Sequence, residues 1–170
     1  MCKFITPNTC STIQFLHYLY KSQKLFKKYY KYLQDDFSQI DNLYELIKNV
    51  YPHFWFVTDT KNKYKGFVFL DNFTGNDKIH YSAELTTCFD KSAWGYYIRY
   101  CAKIFLKKCF DNLNLQKIKA QIYPENHRVK QLLKDAGFKY EATLKNETLR
   151  LNKAQDIEVY GLYKNYYYKN

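Results

Sequence analysis

The side chains able to act as nucleophiles or metal ligands are Cys2, Cys10, Cys88, Cys101 and Cys109, with His17, His53, His80 and His127, scattered over 170 residues. No Cys-x-x-Cys pair and no His cluster at ligand spacing occurs among them, so no metal site is expected. Cys88 has no His or acid at a spacing that would activate its thiol, and it reads as a small buried side chain rather than a nucleophile. Odd, scattered thiols fit a reducing cytosol. Asn126 sits where its side-chain oxygen can hold the turn after Pro124 or cap the helix that follows. Lys21, Lys24, Lys27, Lys28 and Lys31 interleave with Tyr29, Tyr30 and Tyr32, a mixture that could track a phosphate backbone. A solvated helix face is the simpler account, and it also covers Lys103, Lys107 and Lys108, opposite the apolar Cys101, Phe105 and Cys109. No specific nucleic-acid partner is expected.

The elements that must position any site follow from periodicity. Residues 117–145 read as strand, turn, short helix and second strand: Ile118, Ala120 and Ile122 alternate, and Val129, Leu132, Leu133 and Ala136 recur at helical spacing before a Gly137 stop and the core residue Phe138. Before it, residues 3–6 make a short strand. Apolar faces over Ile13 to Tyr20 and Leu25 to Leu33 make helices with a break near Ser22 and Gln23. A further helix over Ile40 to Val50, opened by Ser38, closes before Pro52. From His53 the period turns to alternation, with strands over 54–58, 64–73 and 79–89 forming an antiparallel meander joined by polar turns at 60–63 and 74–78. Residues 97–113 carry Ile98, Cys101, Ala102, Phe105, Leu106 and Cys109 on one face of a long helix. A last strand spans 156–163.

Composition fits one folded unit over residues 1–170: 46% hydrophobic and 25% charged residues suffice for a single core. Residues 1–52 form its mainly helical part and residues 53–164 its sheet-rich core. The formal charge of +11 and the 19 Tyr and 13 Phe match residue types that AT-rich coding favours, so the charge is discounted as a functional signal. No apolar run approaches the ~20 residues of a membrane span, and the opening MCKFITPNTC has no hydrophobic signal region, so a cytoplasmic location is expected.

Asn126 with Leu132, Leu133, Ala136, Gly137 and Phe138 resembles the N-x-x-S-x-x-L-L-x-x-x-G-F signature of the GCN5-related N-acetyltransferases, particularly the branch that acetylates the N-termini of ribosomal proteins. Ala83-Glu84-Leu85 followed by Trp94-Gly95 resembles the family's fourth strand and the loop into its phosphate-binding helix. Glu141 to Lys145, with Asp156 and Tyr160, resembles its closing hairpin. The resemblance implies a single α/β (α+β) domain with a mixed, mostly antiparallel sheet flanked by helices and with strands four and five splayed. It also implies acetyl-CoA as cosubstrate and an amine acceptor, foremost a protein N-terminus or another primary amine. Small amines and a modified nucleotide sugar stay open. The enzyme would act as a monomer or homodimer.

In the family the arm of acyl-CoA meets the free edges of the splayed strands, here residues 85–89 and 119–123, and its pyrophosphate sits on amides at the start of the long helix. The cofactor-contacting positions implied are Leu85, Thr86, Thr87, Cys88, Phe89, Lys91, Ser92, Trp94, Gly95, Tyr96, Tyr97 and Asn126, and Glu84 is the implied general base. The chain departs from the pattern at three places. Of the small residues in the phosphate loop only Gly95 is present, with Tyr97 at the second small position. Val129 replaces the Ser that pairs with the leaving thiolate, and Leu133 occupies the place of the acidic Tyr in other branches. A proton donor would then come from water, from Tyr123, Tyr96 or Tyr97, or not at all, and in a chain this rich in Tyr each of the three also reads as a packing residue. These departures also motivate a rival reading, a non-catalytic module of the same fold that senses a ligand or binds a partner.

Overall fold

The computed structural model describes residues 1–38, 40, 42–76 and 79–169. Seven strands, β1 (Cys2–Ile5), β2 (Phe54–Asp59), β3 (Tyr64–Asn76), β4 (Ile79–Phe89), β5 (Lys117–Ile122), β6 (Lys139–Arg150) and β7 (Lys153–Tyr163), form one sheet in the order β1-β2-β3-β4-β5-β7-β6. Five helices flank it: α1 (Thr12–Leu33), α2 (Leu43–Val50), α3 (Tyr96–Asp111), α4 (His127–Asp135) and the short α5 (Lys164–Tyr167). This is the expected single α/β domain with a mixed sheet.

Alternation sends successive residues of each strand to opposite faces. Val68, Leu70, Ala83, Ile118, Ala120 and Leu162 pack with Phe105, Leu106, Cys109 and Phe110 of α3 and with Leu133 and Phe138. On the other face Phe54, Phe56, Phe67 and Phe69 pack under Tyr18, Leu25 and Phe26 of α1 and Leu43, Leu46, Ile47 and Val50 of α2. The sheet is therefore covered on both sides by amphipathic helices.

The helical segment differs from expectation. α1 runs unbroken past Ser22 and Gln23 because both polar groups find partners inside the helical geometry. The fully buried Ser22 hydroxyl donates to Tyr64 Oη at 2.7 Å, and Gln23 Oε1 accepts from Leu43 N at 2.7 Å. The kink comes later, at Tyr29 (φ −110°, ψ 16°). Ser38 does not open α2: its hydroxyl serves Asp35, and Asn42 caps the helix by accepting from Glu45 N at 3.0 Å. β3 continues to Asn76 through residues expected to be a turn, of which 77 and 78 lie outside the described set. β6 and β7 are also longer than expected.

β4 pairs antiparallel with β3 along its length, and parallel with β5 only at Ser82, Ala83 and Glu84, opposite Lys117, Ile118 and Lys119. Beyond these pairs Leu85 to Phe89 bond to β3 alone and Ala120 to Ile122 to β7 alone. The sheet opens there into a wedge with free backbone groups on its inner edges. Gly66 sets the far side of this strand. A Cβ built on it would lie 2.4 Å from the Cys88 carbonyl oxygen and 2.8 Å from the Phe89 Cα, both backbone atoms that cannot swing aside. Gly66→Ala is expected to destabilise by about 1–3 kcal/mol through overpacking, measured by urea unfolding.

Candidate active site

The wedge widens into a cleft of about 1150 Å³. Its walls are the β4 residues Glu84, Leu85, Thr86, Thr87, Cys88 and Phe89, the β5 end at Ala120 to Tyr123, the start of α3, the inner face of α4, and the turn after α1 at Gln34 and Asp35. Leu133 and Phe138 are buried here, whereas Leu132 and Ala136, expected in the core, are half-buried because they face the cleft.

At one end of the cleft the chain builds an anion seat. Asp90 accepts from Ser92 N at 2.9 Å and holds a short turn over Lys91–Ala93, after which Gly95 (φ +90°, ψ −132°) opens α3 with no side-chain cap. Position alone leaves the first-turn amides of α3 without acceptors inside the helix, and the helix dipole makes that end attractive to phosphate. A Cβ on Gly95 would meet nothing within 4 Å, so the space beside the helix start at Gly95 is open. Tyr97 does not obstruct it: its hydroxyl donates to the Thr58 carbonyl at 3.0 Å, carrying the ring away from the cleft. Lys91, Ser92, Tyr96 and Tyr97 lie outside the cleft wall, whereas Trp94 and Gly95 line it. Two arginines that sequence reasoning missed stand beside this seat. Arg128 of α4 stacks on Trp94 with its guanidinium carbon 4.3 Å from the ring centroid, and Arg99 of α3 donates to Asp135 at 3.0 Å.

In the middle of the cleft Glu84 is held by one oxygen. Its Oε2 accepts from Asn72 Nδ2 at 3.2 Å and from Gln121 Nε2 at 3.0 Å, and Gln121 reaches across the split from β5. Asn126 lines the cleft and caps α4, accepting from Val129 N at 3.4 Å. Cys88 is buried and burial pushes its thiol up, which leaves it inert. Of the three tyrosines considered as proton donors only Tyr123 lines the cleft, its hydroxyl donating to the Gln34 carbonyl at 3.3 Å. Burial raises it, so it stays protonated.

The far wall is acidic. Burial raises the Asp35 carboxyl, but hydrogen bonds from the Thr148 and Ser38 side chains and from the amides of Phe37 and Ser38 outweigh it, so the group is held below the usual carboxylate range. Glu125 pairs with Arg150, and Asp135 with Arg99. Asp35, Glu84 and Glu147 line the cleft with no ion-pair partner among the described residues.

These parts fit an acyl-CoA: free strand edges for an extended amide-bearing arm, an open helix start and two arginines for phosphates. A family model described as an acetyltransferase (GNAT) domain matches residues 13–139, well over half the chain. The chain belongs to the GNAT acetyltransferase family. It is thereby an acetyl-CoA-dependent N-acetyltransferase by class, and the GNAT match takes in helices that the quoted motifs do not reach. Solved structures share this fold. Spermidine N-acetyltransferase from Vibrio cholerae, in complex with CoA and spermine, is 22% identical with a TM-score of 0.73, covering 98% of each chain. A GNAT-family acetyltransferase from Bacillus anthracis is 17% identical with a TM-score of 0.72, over 96% of this chain and 95% of that one. No curated protein matches the sequence significantly. Among the described residues no helix is long and apolar enough to cross a membrane, and no three His, Cys, Asp or Glu side chains group to hold a metal ion.

Proposed function

We propose that the protein acetylates a primary amine of a small polycation such as spermidine, with Glu84 as the base that accepts the ammonium proton. One observation carries this acceptor class. In a chain of net charge +11, the cleft wall concentrates carboxylates, and three of them, Asp35, Glu84 and Glu147, have no ion-pair partner among the described residues. Such a wall favours a ligand that brings positive charge, and a diamine or polyamine brings more of it than a protein N-terminus does. That the Vibrio cholerae structure contains spermine is consistent with the same class.

Acetyl transfer to an ammonium releases two protons as the N–C bond forms and the C–S bond breaks. One ends on the thiol and one in solvent, so each turnover needs a proton acceptor beside the amine. Glu84 meets that need, since the amides of Asn72 and Gln121 occupy only its Oε2. Bound acetyl-CoA supplies the activated thioester. The chain's part is to hold it along Leu85, Thr86, Thr87, Cys88 and Phe89, over Trp94 and Gly95, and beside Asn126. The amides of Tyr96 and Tyr97 and the guanidiniums of Arg99 and Arg128 serve the phosphates, with Lys91 and Ser92 in the adjoining turn. Val129 and Leu133 carry no proton to give, and of Tyr96, Tyr97 and Tyr123 it is Tyr123 that brings a protonated phenol to the cleft wall.

Arg128→Ala is expected to weaken acetyl-CoA binding about 10-fold by calorimetry, the worth of one charge-assisted contact. Unchanged affinity would remove Arg128 from the phosphate seat. The acceptor is tested by incubating the protein with acetyl-CoA and, separately, spermidine and a peptide bearing a ribosomal-protein N-terminus, followed by mass spectrometry. Acetylated spermidine is the expected product. Acetylation of the peptide alone would return the acceptor to the protein N-terminus. Acetyl-CoA binding without any product would favour the ligand-sensing module.

A further inference from the structure

Behind Glu84 lies a second carboxyl. Asp71 of β3 stands directly opposite Glu84 in the antiparallel register, so both side chains leave the same face of the sheet. The ladder then breaks: the register shifts between Asp71 and Thr74, and Asn72 takes a left-handed backbone (φ 45°). Asn tolerates that conformation better than most residues, and the bulge re-aims its side chain, which reaches Glu84. Asp71 itself is half-buried, and its Oδ1 is fully buried with no hydrogen-bond partner among the described residues. Leaving a buried carboxylate oxygen unpaired is costly, so its presence beside Glu84 calls for an explanation other than packing.

Resting on the reading of Glu84 as base, we propose that Asp71 and Glu84 handle the acceptor's proton as a pair, Glu84 facing the cleft and Asp71 receiving the proton behind it. The ammonium N–H bond breaks and its proton goes to Glu84. The proton then passes from Glu84 to Asp71, where an O–H bond forms, and from there to solvent. Glu84 is thus restored as a carboxylate, and the nitrogen keeps the electron pair with which it attacks. Burial, and then the charge of Glu84, push Asp71 up to about 6, while a hydrogen bond from its own backbone amide and the charge of Lys119 of β5 pull the other way. A group in that range is ionised at neutral pH yet basic enough to take a proton. Because the folded state binds this proton more tightly than the unfolded chain does, Asp71 costs the fold stability that accrues as pH rises from near 4 to about 6 and persists above.

Asp71→Asn tests the pairing, with Asp71→Ser as the second neutral variant. With acetyl-CoA and spermidine, the wild type is expected to lose kcat below an inflection near pH 6. Both variants should lack that inflection, with kcat about 10-fold lower at pH 8 and the acetyl-CoA KM unchanged. Tm should rise in the variants at pH 8 and match the wild type near pH 4, the opposite of what loss of a structural contact gives. Carboxyl ¹³C titration of the protein alone should place Asp71 near 6 and lower it in Glu84→Gln. If Asp71 titrates in the ordinary carboxylate range, or does not respond to Glu84→Gln, the pairing is overturned without any turnover measurement. A full kcat and inflection in both variants while Glu84→Gln is inactive would overturn the proton path and leave Glu84 as a lone base. An active Glu84→Gln would overturn the base reading and the pair with it.

Discussion

Glu84→Gln is expected to lower kcat by about 10²-fold or more while leaving acetyl-CoA affinity within about two-fold. The substitution preserves shape, and a Gln oxygen can still accept from Asn72 and Gln121 as the Glu84 Oε2 does, so the strut across the split sheet survives. What disappears is the capacity to take a proton. The strand edges and helix start that hold the cosubstrate do not depend on that charge, so the loss should fall on turnover. Initial rates at saturating acetyl-CoA, paired with calorimetry of the same variant, separate the two effects. A loss confined to affinity would place Glu84 among the binding residues and remove it from the chemistry.

The second large effect concerns the floor of the cleft. Phe138→Ala is expected to cost about 3–5 kcal/mol in urea unfolding. α4 ends with Gly137 in the left-handed region (φ +92°), where Gly137 N donates to Lys134 O and Phe138 N to Leu133 O, each at 3.0 Å. This closure turns the chain so that Phe138, 3% exposed, enters the core with Leu133, Ile118, Ala120 and Leu162. Removing the ring leaves a void beneath the point where β4 and β5 part. A cost below about 1 kcal/mol would show that the α4 hinge does not support the sheet.

Much of this was legible in the sequence, because local signals and tertiary structure agree there. The Ile118, Ala120 and Ile122 alternation marks β5, Gly137 stops α4, and the switch of period after His53 marks the meander. The misses have specific causes. The supposed break in α1 rested on polar Ser22 and Gln23, whose partners, Tyr64 and Leu43, lie far along the chain. The outer half of β6 escaped because it is an edge strand with polar, exposed residues and a bulge at Asn146 (φ 52°). Arg99 stands in the first turn of α3 but carries no distinguishing signal in so basic a chain, and only the fold brings Arg128 of α4 to the start of α3. Asp71 was read as part of a strand, and nothing short of strand register could pair it with Glu84. The phosphate loop illustrates the converse. Tyr97 departs from the small residue of the family pattern, and its ring leaves on the side of Thr58, away from the helix start.

Both the chemistry at Glu84 and the phosphate seat require acetyl-CoA in the split between β4 and β5. Titrating the purified wild-type protein with acetyl-CoA by calorimetry tests this most directly. Saturable binding of one molecule per chain, at micromolar concentration and undiminished in Glu84→Gln, is the expected result. No binding at millimolar acetyl-CoA, from protein that carries no CoA from its host, would contradict it.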